Sequence, residues 1–171
     1  NWQMLDGVSP DSPVTRLALH PEDPQKVYAL GYAGVFYSED GGTSWERLDE
    51  TFKAAVYTFF YEHAFAPDDP QTMYAGTSAG GMIKSVDGGY NWFEINGLRH
   101  EGDVLGNSYG TALDPADPDT LYATSIGGVF KTTNGGESWR FIGQGVFQHL
   151  REIAADPTDP LRLYLGGDSS A

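Results

Sequence analysis

The chain of 171 residues contains no cysteine. Disulfides, thiolate metal sites and a cysteine nucleophile are therefore excluded. No apolar run approaches the ~18 residues that a bilayer-spanning helix needs, and no stretch shows convincing helical periodicity. Basic residues are scarce: 10 Lys and Arg stand against 24 Asp and Glu, a formal charge of −14. A nucleic-acid backbone or an anionic membrane surface calls for clustered Lys and Arg, so neither is expected as a partner. The acidity suits a neutral ligand, a cationic partner or a metal ion, and a solvated acidic surface accounts for it without any of these. No leader-like segment is recognisable and residue 1 is Asn, so the chain is expected to be a mature form, a trimmed form or a fragment.

What is abundant points to strands and turns. Gly 22 and Pro 10 supply punctuation, while ten Tyr, nine Phe and four Trp suit strands better than helices. One short motif occurs three times: Ser38-Glu39-Asp40-Gly41-Gly42-Thr43-Ser44-Trp45, Ser85-Val86-Asp87-Gly88-Gly89-Tyr90-Asn91-Trp92 and Thr132-Thr133-Asn134-Gly135-Gly136-Glu137-Ser138-Trp139. Successive tryptophans are 47 residues apart in both intervals, and a fixed period of this size signals a repeat architecture. A Pro- and Asp-rich turn recurs as His20–Pro24, Ala66–Pro70, Asp114–Pro118 and Asp156–Pro160. Short apolar runs flank each turn, a third follows Gly-rich punctuation, and a fourth begins at the box Trp. One unit is thus four short strands in meander order.

Four antiparallel strands per unit, repeated, predict an all-β β-propeller built of four-stranded antiparallel blades. The expected divisions are residues 1–7 as the last strand of a preceding blade, 14–49, 57–96 and 108–143 as full blades, and 150–171 as the first two strands of another. Three full and two partial blades favour a fragment of a larger propeller over a closed four-bladed ring. A blade can bury its two apolar faces only against neighbours, so the rest of a propeller, or further copies of the chain, is expected to cover the outer edges.

The pattern Ser/Thr-x-Asp/Asn-x-Gly-x-x-Trp resembles the Asp-box of the bacterial neuraminidase repeat. That family includes sialidases, sortilin-type receptor ectodomains and xyloglucan-cleaving glycosidases, and the likeness spans nearly the whole chain. It implies a propeller but leaves function open, because the family holds receptors, enzymes and assembly factors. The residues themselves read as turn builders rather than catalysts or metal ligands. Ser38, Ser85 and Thr132 open the boxes. Asp40, Asp87 and Asn134 can accept backbone N–H bonds in a tight hairpin, and an amide at position 134 replaces an acceptor but not a catalytic carboxylate. Gly42, Gly89 and Gly136 supply positive φ, and Trp45, Trp92 and Trp139 fold back over the hairpin. No metal or cofactor is expected.

If the units are blades, the first strand of each lines a central channel, and its mouth receives Arg16, Glu62 with His63, Gly110 with Thr111, and Arg151 with Glu152. These charges either pair across the channel or form a polar ligand site. Arg99 and His100, with Glu101 and Asp103, make a charged loop at the same face. Tyr57 lies among aromatics that either pack in the core or stack on sugar rings. Arg16, His63, Tyr57, Arg99, His100 and Arg151 are accordingly the ligand-binding candidates. The resemblance implies, for a sialidase, an arginine triad, a Tyr nucleophile with a Glu, and an Asp acid; only Arg16 and Arg151 match. For a xyloglucan-cleaving enzyme it implies a carboxylate pair, and Glu62 and Glu152 are the weak candidates. The leading expectation is a non-enzymatic binding or scaffold domain of an exported protein or surface assembly, extracellular or periplasmic, engaging a protein or a polysaccharide. The alternative is a fragment of a glycoside hydrolase of xyloglucanase or sialidase type.

Overall fold

A computed structural model of the chain describes residues 14–31, 34–48, 60–66, 68–77, 81–95, 108–125, 128–143, 149–159 and 161–168. Of residues 60–63, 149 and 168 only the backbone is described. The strand expected over residues 1–7 lies outside this set.

Every regular element among the described residues is a β-strand. Strands β1 (Val14–Leu19), β2 (Val27–Gly31), β3 (Gly34–Ser38) and β4 (Glu46–Arg47) form one sheet in chain order. The second sheet runs β5 (Phe60–Ala66), β6 (Asp69–Thr77), β7 (Gly81–Ser85) and β8 (Phe93–Glu94); the third runs β9 (Ser108–Asp114), β10 (Asp117–Ser125), β11 (Gly128–Thr132) and β12 (Arg140–Gly143). Strands β13 (His149–Ala155) and β14 (Leu163–Asp168) make a two-stranded sheet. All pairings are antiparallel. Two details depart from the sequence reading. The box Trp precedes the fourth strand rather than opening it, and β6 and β10 begin inside the Pro-Asp turn, where Ala66 pairs with Asp69 and Asp114 with Asp117.

Repetition explains where the core lies. The second and third strands of each full unit are largely buried and carry short, mostly apolar stretches because both of their faces are covered. Burial is between sheets. One cluster joins Tyr28, Leu30, Val35 and Leu48 of the first sheet to Met73, Ile83 and Trp92 of the second. The next joins Tyr74, Met82 and Ile95 to Leu121, Phe130 and Trp139. The last joins Tyr122 and Val129 to Leu150 and Ile153. The innermost strands stand side by side, β1 next to β5, β5 next to β9 and β9 next to β13. This is the face-to-face packing of β-propeller blades.

Position in the array sets exposure. Leu48, Ile95 and Ile142 occupy the same place in successive units; the first two are buried under the following box, whereas Ile142 is 38% exposed. On the first sheet Leu17 and Leu19 are 65% and 63% exposed, while Phe65, at the place corresponding to Leu19, packs against the preceding sheet. The interior sheets therefore bury what the outer ones leave open.

Candidate functional site

The boxes are built by short-range hydrogen bonding. The Asp40 carboxylate accepts from the Ser38 hydroxyl (2.8 Å), the amides of Thr43 (2.9 Å) and Ser44 (2.8 Å), and the Ser44 hydroxyl (2.7 Å). Bonds from the Ser44 side chain first, then its amide and the Ser38 hydroxyl, hold the Asp40 pKa down at about 2. At Asp87 burial pushes the pKa up, but donors from Asn91 and Ser85 outweigh it and leave the value lowered. Asn134 keeps the same geometry without a charge: its Oδ1 accepts from the Thr132 hydroxyl (2.7 Å) and the Ser138 amide (3.0 Å), and its Nδ2 donates to Ser138 Oγ (2.9 Å).

Two features of the boxes escape sequence reasoning. Both glycines of each pair take positive φ, so Gly41, Gly88 and Gly135 matter as much as the glycines after them. Their amides donate to the carbonyls of Gln25, Gln71 and Asp119, tying each box to the region where the second strand begins. The indoles also differ. Trp45 and Trp92 donate to Gly42 and Gly89 within their own boxes (3.0 and 2.8 Å), whereas Trp139 donates to Ile95 of the preceding sheet (2.8 Å).

The channel candidates lie on the innermost strands. Arg16, Glu62, Gly110 and Glu152 each stand five residues before the first proline of the following turn, so they occupy one level of four neighbouring strands. Glu62 pairs with Gly76 and Glu152 with Gly166, each beside a register irregularity. Between them Gly110 brings strands into close approach: a Cβ there would lie 3.0 Å from the Arg151 carbonyl oxygen and 3.1 Å from Glu152 Cα. Its buried amide donates to Thr124 Oγ1 at 2.9 Å. The Thr111 hydroxyl points at the Met82 sulfur, 3.4 Å away.

Arg16 is half-buried with Nη1 donating to the Thr15 carbonyl at 3.1 Å. Arg151 and Glu152 are exposed on β13. For Glu62 and His63 the backbone alone is described, in β5 opposite Gly76 and Ala75. Tyr57, Arg99 and His100 lie outside the described residues. Among the described residues no group of three or more His, Asp or Glu is placed to hold a metal ion, and no helix is long and apolar enough to cross a membrane.

Sequence reasoning also misses a cavity of about 610 Å³ between the second and third sheets at the box end, lined by Lys84, Phe93, Glu94, Asp119 and Glu137 among others. The signal for it was present in the repeat register, where Glu137 stands in the place of Tyr90.

No protein-family profile matches the chain. In sequence it is similar to an oligoxyloglucan-reducing end-specific xyloglucanase of Emericella nidulans, 27% identical over 144 residues, covering 76% of this chain and 18% of that protein. A probable enzyme of the same name from Neosartorya fischeri is 25% identical over 142 residues, covering 74% of this chain and 17% of that protein. The chain thus spans under a fifth of the length of these relatives. Among solved structures, a GH74 enzyme of Niastella koreensis superposes with a TM-score of 0.71 at 17% identity, covering 96% of this chain and 30% of that one. YCF48 bound to D1 peptide superposes at 0.63 with 18% identity, covering 85% and 47%. At these identities the structural likenesses speak for the fold: an all-β propeller segment.

Proposed function

We propose that this chain is a run of Asp-box blades from an extracellular glycoside hydrolase of the xyloglucanase type, with xyloglucan as the first candidate substrate. The observation that carries this reading is the 25–27% identity to two proteins named as xyloglucanases over about three quarters of the chain. The non-enzymatic scaffold role expected from the sequence is now the less favoured reading. The likeness to a peptide-bound YCF48 is one of fold.

Glycoside cleavage needs two carboxyl groups, one protonating the departing oxygen and one serving as base or nucleophile, and their separation selects inversion or retention. Glu62 and Glu152 are the pair we nominate. They stand at one level of β5 and β13, and β9, which lies between those strands, places the side-chain-free Gly110 at that level. Arg16 stands in the same row, His63 and Arg151 are their neighbours along β5 and β13, and Tyr57, Arg99 and His100 are nominated as sugar contacts.

The test is reducing-end release from xyloglucan by the intact protein that carries this segment, with Glu62→Gln and Glu152→Gln. Each variant is expected to lose about 10²–10⁴-fold in kcat, the usual worth of a positioned acid or base, with KM little changed. Hydrolysis at parental rates by both variants, or no hydrolysis by the parent, overturns the reading.

A further inference from the structure

We infer that the groove between the second and third sheets is a second saccharide site, separate from the innermost strands and made to take a neutral pyranose ring. The chain itself shows what fills such a place. At the equivalent junction between the first and second sheets, Tyr90 of the box reaches the fourth strand of the preceding sheet, and its hydroxyl donates to Glu46 Oε1 at 3.1 Å. There a flat six-membered ring, itself 48% exposed, bridges the two sheets with an O–H directed at a carboxylate.

One repeat later both partners are exchanged. Glu137 stands where Tyr90 was, and Phe93 stands where Glu46 was. Neither can rebuild the contact, and a groove of about 610 Å³ lies at this junction, a volume usual for small-molecule sites. The floor holds together underneath: Ile95 packs against Gly136, the Gly135 amide donates to the Asp119 carbonyl, and Trp139 donates to the Ile95 carbonyl. The opening is therefore a local exchange of side chains between two sheets that remain locked.

The lining selects the ligand class. Phe93 is 45% exposed and offers an aromatic face to the C–H face of a sugar. Glu94, Asp119 and Glu137 bring acceptors, so the ligand must supply donors; hydroxyl groups and ammonium groups both qualify. Lys84 decides between them. Its Nζ lies 5.1 Å from the Tyr74 ring centroid, and it lines the same groove, so the groove already carries a positive charge that disfavours a cationic ligand. A ring with several hydroxyls and no charge fits both the acceptors and the ammonium. The choice of a sugar draws on the polysaccharide reading above, whereas the existence of the site rests on the geometry.

The test is titration of the chain with cellotetraose, a xyloglucan oligosaccharide and, separately, spermidine, followed by amide chemical shifts and calorimetry. Saturable oligosaccharide binding is expected, with shifts at Gly135, Gly136 and Phe93. Phe93→Ala, at an exposed position that leaves the fold intact, should weaken it about tenfold. Glu137→Tyr, which restores the ring present at the sister junction, should abolish it while leaving the circular dichroism unchanged. Absence of oligosaccharide binding, shifts confined to the innermost strands, or spermidine binding in this groove insensitive to Phe93→Ala would each overturn the inference. Hydrolysis by the Glu62 and Glu152 variants is read separately, so failure of the catalytic reading and failure of this site are distinguishable.

Discussion

Replacing the second box glycine by alanine separates backbone strain from packing between sheets. Gly42, Gly89 and Gly136 have almost the same backbone, with φ of 92°, 93° and 95°. An added Cβ therefore meets the same local penalty in each, about 1–2 kcal/mol for a left-handed residue. Their surroundings differ. At Gly42 a Cβ would meet only the Trp45 ring, at 3.4 Å. At Gly89 it would touch Leu48 Cδ1 at 3.3 Å and Met73 Sδ at 3.6 Å, both ends of flexible side chains that can give way. At Gly136 it would lie 2.5 Å from Ile95 Cδ1 and 2.9 Å from Ile95 Cβ. The Cβ cannot move without its backbone, so the second and third sheets must part. Overpacking of this kind costs about 1–3 kcal/mol more. The expected order is Gly42→Ala at about 1–2 kcal/mol, Gly89→Ala slightly above it, and Gly136→Ala at about 2–5 kcal/mol. Urea unfolding followed by circular dichroism gives these differences, and unchanged m-values would show that the three variants report on one cooperative unit. If Gly136→Ala falls within about 0.5 kcal/mol of Gly42→Ala, the scatter usual for independent sites, the idea that boxes lock onto the preceding sheet is wrong.

Two further outcomes follow from the hydrogen bonds. Trp139→Phe keeps most of the apolar body but strands the Ile95 carbonyl in a buried setting, which should cost about 1–3 kcal/mol; Trp45→Phe frees only the part-buried Gly42 carbonyl, and a smaller loss in thermal unfolding is expected. Acidification should distinguish the boxes: the Asp40 pKa is lowered from 3.8 to about 2, so its contribution is complete above the ordinary carboxylate range and is lost as pH falls through the folded value. Exchange of the Ser44 and Asn91 amides should accelerate over that window while that of Ser138, held by the uncharged Asn134, should not; parallel behaviour of all three would refute the assignment.

The repeat made most of the fold legible. A strand buried on both faces is mostly apolar, and Met73-Tyr74-Ala75-Gly76 and Leu121-Tyr122-Ala123-Thr124 show it. The spacing of Trp45, Trp92 and Trp139 gives the period, and the period gives the meander. Contacts between units were not legible, because they join residues in different copies. Nothing local to Trp139 distinguishes it from Trp92, yet one indole bonds inside its own box and the other bonds to the neighbouring sheet. The two-residue fourth strands were hidden for a related reason: Trp45 and Trp92 look like strand residues by type, but each is committed to the box beneath it. Of the nominated site, the sequence supplies register but not chemistry. It places Glu62 and Glu152 in one row through the proline turns, and the structure adds the obligatory glycine between their strands.

Repetition also indicates where function can sit. Positions that must satisfy the same backbone geometry in every unit recur as the same residue types: the hydroxyl at Ser38, Ser85 and Thr132, the paired glycines, the tryptophans. Positions free of that demand diverge, and two rows do so. One is Arg16, Glu62, Gly110 and Glu152 on the innermost strands, where three charged positions accompany one glycine. The other is Thr43, Tyr90 and Glu137 in the boxes, where the ring that bridges one junction is missing from the next. At the first junction Tyr90 bonds to Glu46 across the two sheets, whereas at the second Glu137 and Phe93 border a groove. Trp139, Ile95 and Gly136 hold the two sheets together beneath that groove. The cavity is thus supported where the fold is strongest, the arrangement expected of a binding site carried on a rigid frame.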